Sequence, residues 1–478
     1  MLEIFKDELR RPDLAHELKR GLIGDGAVIE GPFGPKPLIY ADYVASGRAL
    51  RQIEAYILET VLPYYANSHT EASYCGAFCT RLREEARREI GRIAGAGAGT
   101  SVLFCGSGAT AGLNRLVRLL DIERRTAAGE EVVILVGPYE HHSNILPWRE
   151  SGGRVVEVPE ADGGGPDLGQ LEAVLRGSEG AALVVGAFSA ASNVTGIVTD
   201  VDAATRCLKA HGALAVWDYA GGAPYLPMDM GAGGGAAKDA IVFSPHKFPG
   251  GPGASGIMVL RDDIVRRAQP TAPGGGSVTF VSPWAHEYSS KVSAREEAGT
   301  PNVVGDIRAA LVLLVKEALG QRFLDTRNAE LRARALRVWR RNERIELLGS
   351  PDAPSLPIFS FRVRDGQGGY IHHQLFTRML SDRHGIQARG GCACAGPYAH
   401  RLLGIDETAS AELLEAIRRG REIEKPGWAR LNLSYLLDDT EADAIIECVD
   451  ALARAAPDLA TQYDLDVRTA RFVCSRAA

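Results

Sequence analysis

The 478 residues include no apolar run of transmembrane length, and the mixed-charge start Met1-Leu2-Glu3-Ile4-Phe5-Lys6 is not a signal peptide. The chain is therefore expected in the cytoplasm, away from membranes. It also lacks a basic excess. Its 54 Lys and Arg stand against 60 Asp and Glu, for a net charge of -6. That balance argues against nucleic-acid partners and against a basic membrane-binding face. Eight cysteines are few for this length and form no disulfide framework. Cys392-Ala393-Cys394 is too tight for a Cys-x-x-Cys redox loop. Separate roles suit Cys75, Cys79, Cys392 and Cys394 better than one shared zinc site, so no metal is expected. Internal repeats are absent too.

What is present is enough chain, with 45% hydrophobic residues, for a large core and two or more structural units. Residues 1–38 read as an N-terminal arm, a helix and then a loop broken by Pro32, Pro35 and Pro37. From Ser101, short apolar strands alternate with helices. The strands are Ser101 to Cys105, Glu131 to Val136, Arg154 to Val158, Ala181 to Ala187, Ala213 to Trp217, Ala240 to Phe243 and Gly256 to Leu260. Repeated strand and crossover helix predict an α/β domain over residues 39–310, built on a mainly parallel sheet. Its active groups should lie at the carboxyl ends of the strands. A helix near Asp306 to Gly320 leads into a smaller C-terminal α+β domain, residues 311–456, and residues 457–478 form a C-terminal tail.

The chemistry-bearing residues fall at those strand ends. Lys247, in Ser244-Pro245-His246-Lys247, follows the strand at Ala240 and can hold a cofactor aldehyde as a Schiff base. Asp218 ends the preceding strand and can pair with a pyridine nitrogen. Gly106-Ser107-Gly108-Ala109-Thr110 opens a helix after a strand. Its backbone N–H groups make an anion cradle to which the Thr110 hydroxyl, Ser244 and His246 add donors. That spacing matches neither the dinucleotide nor the nucleoside-triphosphate fingerprint. In Glu140-His141-His142-Ser143-Asn144 one imidazole can lie flat on an aromatic cofactor, and the Asn193 amide can donate to a phenolic oxygen. Taken singly, these residues are equally a strand-end lysine, a tight turn, a capping histidine and a turn asparagine.

In order and spacing these blocks resemble the class V aminotransferase family of pyridoxal-phosphate enzymes, closest to the group-II cysteine desulfurase and selenocysteine lyase branch. Tyr40-Ala41-Asp42, Gly274-Gly275-Gly276, Glu297 through Asn302, and Arg389-Gly390-Gly391 extend the resemblance. It implies the fold type I transferase architecture, pyridoxal 5'-phosphate as cofactor, a small amino-acid substrate and a homodimer. It also implies roles: Lys247 carries the cofactor, Asp218 meets its ring nitrogen and His141 stacks on the ring. Gly108, Ala109, Thr110, Ser244 and His246 bind phosphate, and Thr300 reaches the phosphate of the other subunit. Arg430 grips the substrate carboxylate with Arg389 as a second contact, and Cys394 is the nucleophile that would hold sulfur as a persulfide. A sulfur-acceptor protein is a further expected partner. An aminotransferase, a C–S lyase, an epimerase and an inactive scaffold protein are the alternatives on the same frame.

Three departures bear on substrate more than on cofactor. Gly221 stands where the family usually has glutamine. Cys392-Ala393 replaces the histidine pair that usually precedes the nucleophile. A helical stretch from about His400 to Pro426 is longer than usual.

Overall fold

The structure is a computed structural model that describes residues 1–68, 70–231 and 234–475. It has a large α/β portion on a mainly parallel sheet and a smaller C-terminal α+β portion, as expected. The chain divides into two compact units. One comprises residues 1–23, 46–190 and 199–321, the other residues 24–45, 191–198 and 322–478. These units are discontinuous, whereas the linear boundaries expected from sequence lay near 38, 310 and 456. The second unit gathers distant segments because the strand Ile39–Tyr40 pairs in parallel with Ile386–Gln387, and Ile197 bridges to Ser355.

The first unit holds a seven-stranded sheet. Its strands are β1 (Thr100–Phe104), β2 (Val132–Val136), β3 (Arg154–Glu157), β4 (Leu183–Ser189), β5 (Leu214–Asp218), β6 (Ala240–Phe243) and β7 (Ile257–Arg261), in the order β1-β7-β6-β5-β4-β2-β3. The strands β3, β2, β4, β5 and β6 run parallel, and β7 lies antiparallel to both β6 and β1. All seven expected strands are found, with ends displaced by at most two residues. β2 and β6 are buried along their whole length, as a sheet covered on both faces requires. Helix α1 (Gly108–Leu119) packs Leu113, Leu116 and Val117 into a core with Ile134, Val242 and Met258.

In the second unit five strands form an antiparallel sheet. They are β8 (Ile345–Leu347), β9 (Ile358–Arg364), β10 (Tyr370–Ile371), β11 (Arg389–Gly391) and β12 (Trp428–Asn432). Trp339, Phe361, Phe376, Ile445 and Val449 fill its core. The stretch expected to be helical between the cysteine loop and β12 forms the helices Gly396–Leu403 and Glu407–Arg418. The expected tail boundary at 457 falls inside the helix Asp439–Ala460, which carries Pro457 within it. Beyond it, Tyr463–Asp466 and Arg471–Cys474 pair as a hairpin that buries Cys474. No helix among the described residues is long and apolar enough to cross a membrane.

The first unit is tied internally by a buried ion network. Arg83, on the helix Tyr74–Ile93, binds Glu297 and, at 2.6 Å, Asp306. Arg87 meets Glu297 at 2.8 Å, and Glu297 also accepts the Phe104 N–H at 2.8 Å. Both guanidinium groups lie over the Phe104 ring. Removing one partner of such a cluster leaves an unpaired buried charge. Glu297→Ala should therefore destabilise the chain by about 3–5 kcal/mol in urea unfolding, well beyond the loss from an exposed pair.

Candidate active site

In the first unit the phosphate-type cradle is built from the turn that starts α1. Gly108 has φ +70°, and a Cβ there would come within 2.7 Å of Ser244 Oγ. A Cβ on Gly256 would stand 2.4 Å from the Gly108 Cα, so both positions need glycine. The Ala109 N–H donates to Ser244 Oγ at 2.9 Å, which joins the helix start to the segment bearing His246 and Lys247. Thr110 is exposed, and its hydroxyl shares a 2.7 Å hydrogen bond with Ser143 Oγ. Ser143 in turn lies 3.0 Å from His141 Nδ1 and gives that nitrogen its backbone N–H at 3.1 Å. Nδ1 is therefore an acceptor, which assigns the proton of the neutral ring to Nε2. Thr110, Ser143 and His141 form one chain, so the anion cradle and the candidate ring-stacking imidazole are held together. Ser143 was not among the residues singled out from sequence.

Asp218 ends β5 in full burial, which pushes its pKa up. The Ala220 N–H and the positive charge of Lys247 pull the other way. Oδ1 accepts that N–H at 2.7 Å. A buried carboxylate whose charge is disfavoured by burial suits a protonated ring nitrogen. Lys247 follows β6 in the short helical turn Pro245–Lys247 and is only partly buried. Its charge joins burial in holding the neighbouring His246 at a pKa of about 4. An acid partner, an amine and an N–H cradle are thus present in one compact unit. That donor set fits pyridoxal phosphate. Thr300 is exposed.

Sequence reading gave Glu140 no role. It is buried beneath the His141 segment, accepting from Asn144 Nδ2 at 2.5 Å, Ser189 N–H at 2.7 Å and Ser189 Oγ at 2.6 Å. Asn144 is oriented by the Trp148 indole N–H, which donates to its Oδ1 at 2.9 Å. Burial is the largest influence and pushes the Glu140 pKa up to about 7, against the hydrogen bonds that favour the anion.

The second unit carries another cluster. Arg430, in the middle of β12 and 3% exposed, donates from Nη1 to the Asn193 carbonyl and from Nη2 to Asp42 Oδ1, both at 2.9 Å. Arg389, directly opposite it in β11, donates from Nε to Asp42 Oδ2 at 3.0 Å. Asn193 donates from Nδ2 to the Ala393 carbonyl at 2.9 Å. Both hydrogen bonds of Asn193 thus run within this unit, to the arginine and to the cysteine turn. Two buried polar atoms, Asn193 Oδ1 and Arg430 Nε, have no partner among the described residues. Burial depresses the pKa of Arg430, and Asp42 opposes that most strongly. Asp42 was visible in sequence only as part of a short block at a strand end.

The turn itself runs from Cys392 to Ala395, closed by the Ala395 N–H on the Cys392 carbonyl at 3.2 Å. Ala393 and Cys394 occupy left-handed backbone at φ +54° and +55°. Each costs ~1–2 kcal/mol for a residue with a Cβ. Cys394 is exposed and Cys392 partly buried.

The family model for aminotransferase class-V matches residues 39–414. A probable cysteine desulfurase of Vibrio cholerae is 29% identical over 371 residues, covering 76% of this chain and 85% of the relative. One from Halalkalibacterium halodurans is 27% identical over 422 residues, covering 85% and 97%. Among solved structures, a cysteine desulfurase from Thermococcus onnurineus superposes with TM-score 0.71 at 23% identity, covering 87% of this chain and 95% of that one. One from Escherichia coli gives 0.70 at 20% identity, covering 92% and 98%. At these identities the superpositions establish the fold.

The Glu140 carboxyl makes stability depend on pH. Its folded pKa of about 7 lies above the ordinary 4.5, so the native state holds a proton that the unfolded state releases across that window. The resulting stabilisation is complete below pH 4.5 and lost as pH rises through 7. It amounts to about 3 kcal/mol. Urea unfolding of the cofactor-free chain, wild type minus Glu140→Gln, should show that decline between pH 4.5 and 7.5. A pH-independent difference would contradict the assignment.

Proposed function

This chain belongs to the class-V aminotransferase family, and on that footing we propose that it is a pyridoxal-phosphate enzyme of the cysteine-desulfurase kind. It would take sulfur from L-cysteine, release alanine and leave a persulfide on Cys394. The observation that carries this reading is the network of the second unit. There one arginine fork, held by Asp42, connects through Asn193 to the turn that exposes a thiol. A planar guanidinium suits a carboxylate, and a thiolate suits attack on sulfur. The relatives of similar length, described as probable cysteine desulfurases, support the same reading.

When bound, pyridoxal phosphate supplies an electron sink that lets bonds at the substrate α-carbon break. The chain does the rest. Lys247 holds the cofactor on its amine and moves the α-proton. Asp218 offers its carboxylate to the ring nitrogen. His141, oriented by Ser143, presents its ring face. The N–H groups at Gly108 and Ala109, with Thr110, Ser244 and His246, take the phosphate. Thr300, exposed on the single chain, serves the other subunit of a homodimer. Arg430 binds the substrate carboxylate, with Arg389 as a second contact. The Cys394 thiolate then attacks the substrate sulfur. The carbon–sulfur bond breaks with its electron pair toward carbon, which takes up a proton to give alanine, and the sulfur stays on Cys394 for an acceptor.

Lys247→Ala should abolish the visible absorbance of lysine-bound cofactor in the purified protein. If the wild type shows no such band after incubation with pyridoxal phosphate, the cofactor assignment fails. Arg430→Lys keeps the charge and loses the fork, so kcat/KM for L-cysteine should fall by roughly 30-fold or more with the cofactor band intact. Cys394→Ala should keep the band and lose alanine production. Full turnover in that variant would remove Cys394 from the reaction.

A further inference from the structure

We propose that Cys392 is the resolving thiol for Cys394, so that the persulfide is discharged within the chain as hydrosulfide and the two cysteines close into a disulfide. The proposal deepens the desulfurase reading and rests on it for the origin of the sulfur. It starts from a departure: the residue two places before the nucleophile is a thiol, where a histidine pair is usual.

The backbone turn keeps the two cysteines close along the chain. Two residues of fully extended chain span only ~7 Å between Cα atoms. Residues 392–395 instead fold into a left-handed turn, closed by the Ala395 N–H. Such a turn shortens the span below the extended limit, toward the ~4.4–6.8 Å between Cα atoms that a disulfide needs. The flanking residues are Gly390, Gly391, Ala393, Ala395 and Gly396, so no bulky side chain along the loop separates the thiols. Gly391, at φ +134°, gives the backbone before Cys392 a freedom that other residues lack. Asn193 holds the Ala393 carbonyl between the two cysteines, which keeps the turn closed.

The step balances as follows. The Cys392 thiolate attacks the inner sulfur of the Cys394 persulfide. A bond forms between the two Sγ atoms, the bond from Cys394 Sγ to the outer sulfur breaks, and the outer sulfur leaves as hydrosulfide with the electron pair. The sulfane sulfur is reduced and the two thiols are oxidised. Hydrosulfide is the conjugate base of a stronger acid than a cysteine thiol, which makes it the better leaving group. A low-molecular-weight thiol or a dithiol protein must then reduce the disulfide, so turnover depends on a thiol reductant.

Trypsin releases both cysteines in one peptide, residues 390–401, and no other cysteine lies in it. The holoenzyme is given one equivalent of L-cysteine per chain and no other thiol, quenched with iodoacetamide and digested. In a second arm, protein lacking cofactor is loaded with inorganic polysulfide. In both arms the wild-type peptide should lack two hydrogens and resist alkylation, with about one equivalent of sulfide released per chain. Cys392→Ser should instead retain one extra sulfur on Cys394 and release no sulfide until a thiol is added. A wild-type peptide that keeps the extra sulfur in the polysulfide arm overturns the proposal. A disulfide in the polysulfide arm, with neither persulfide nor disulfide from L-cysteine, supports the dithiol chemistry and overturns the desulfurase reading.

Discussion

A carboxylate taken out of water must find a cation, and in the second unit that requirement organises the candidate substrate and sulfur chemistry. Asp42 is nearly buried and faces two guanidinium groups that sit directly opposite one another on adjacent strands. Without Asp42 the register of β11 and β12 would press like charges together. With it, Arg430 is held rigid, its second arm rests on the Asn193 carbonyl, and the Asn193 side chain reaches the cysteine turn. One carboxylate thus sets the position of the arginine and, two hydrogen bonds further on, the shape of the loop that exposes Cys394.

In the first unit the charge of Lys247 offsets the burial of a carboxylate only in part. Asp218 is buried, with Oδ1 on the Ala220 N–H, and its raised pKa expresses a cost that a protonated ring nitrogen would relieve. Glu140 carries a similar penalty in exchange for orienting Asn144 and Ser189 beneath the His141 segment. The cradle costs side chains rather than charge. Gly108 and Gly256 approach so closely that neither tolerates a Cβ, and this brings Ser244 to the first N–H groups of α1. Elsewhere in that unit the acids are paired within the chain, as the cluster of Arg83, Arg87, Glu297 and Asp306 shows.

The cysteine turn stores its strain locally. Two consecutive residues with a Cβ occupy left-handed backbone, a conformation usually left to glycine although glycines flank them on both sides. The strain is sustained by contacts outside the turn, chiefly Asn193. It places a half-buried and an exposed thiol two residues apart, which is a different chemical device from a histidine beside a single cysteine.

The sequence alone determined the strand–helix alternation, because a sheet covered on both faces needs short, wholly apolar strands between amphipathic helices. It also marked Lys247, Asp218, Gly108 to Thr110 and His141 as strand-end residues, because each ends or follows a short apolar strand. Tertiary structure alone decided which residues share a unit. Residues 24–45 and 191–198 join the C-terminal half through backbone pairing and packing that no local pattern announces. It also decided the partners of the key groups. Asp42 meets Arg430 across 388 positions and Asn193 meets Ala393 across 200, and contacts at such separations leave no local periodicity. Packing of its apolar face likewise carries the helix Asp439–Ala460 through Pro457.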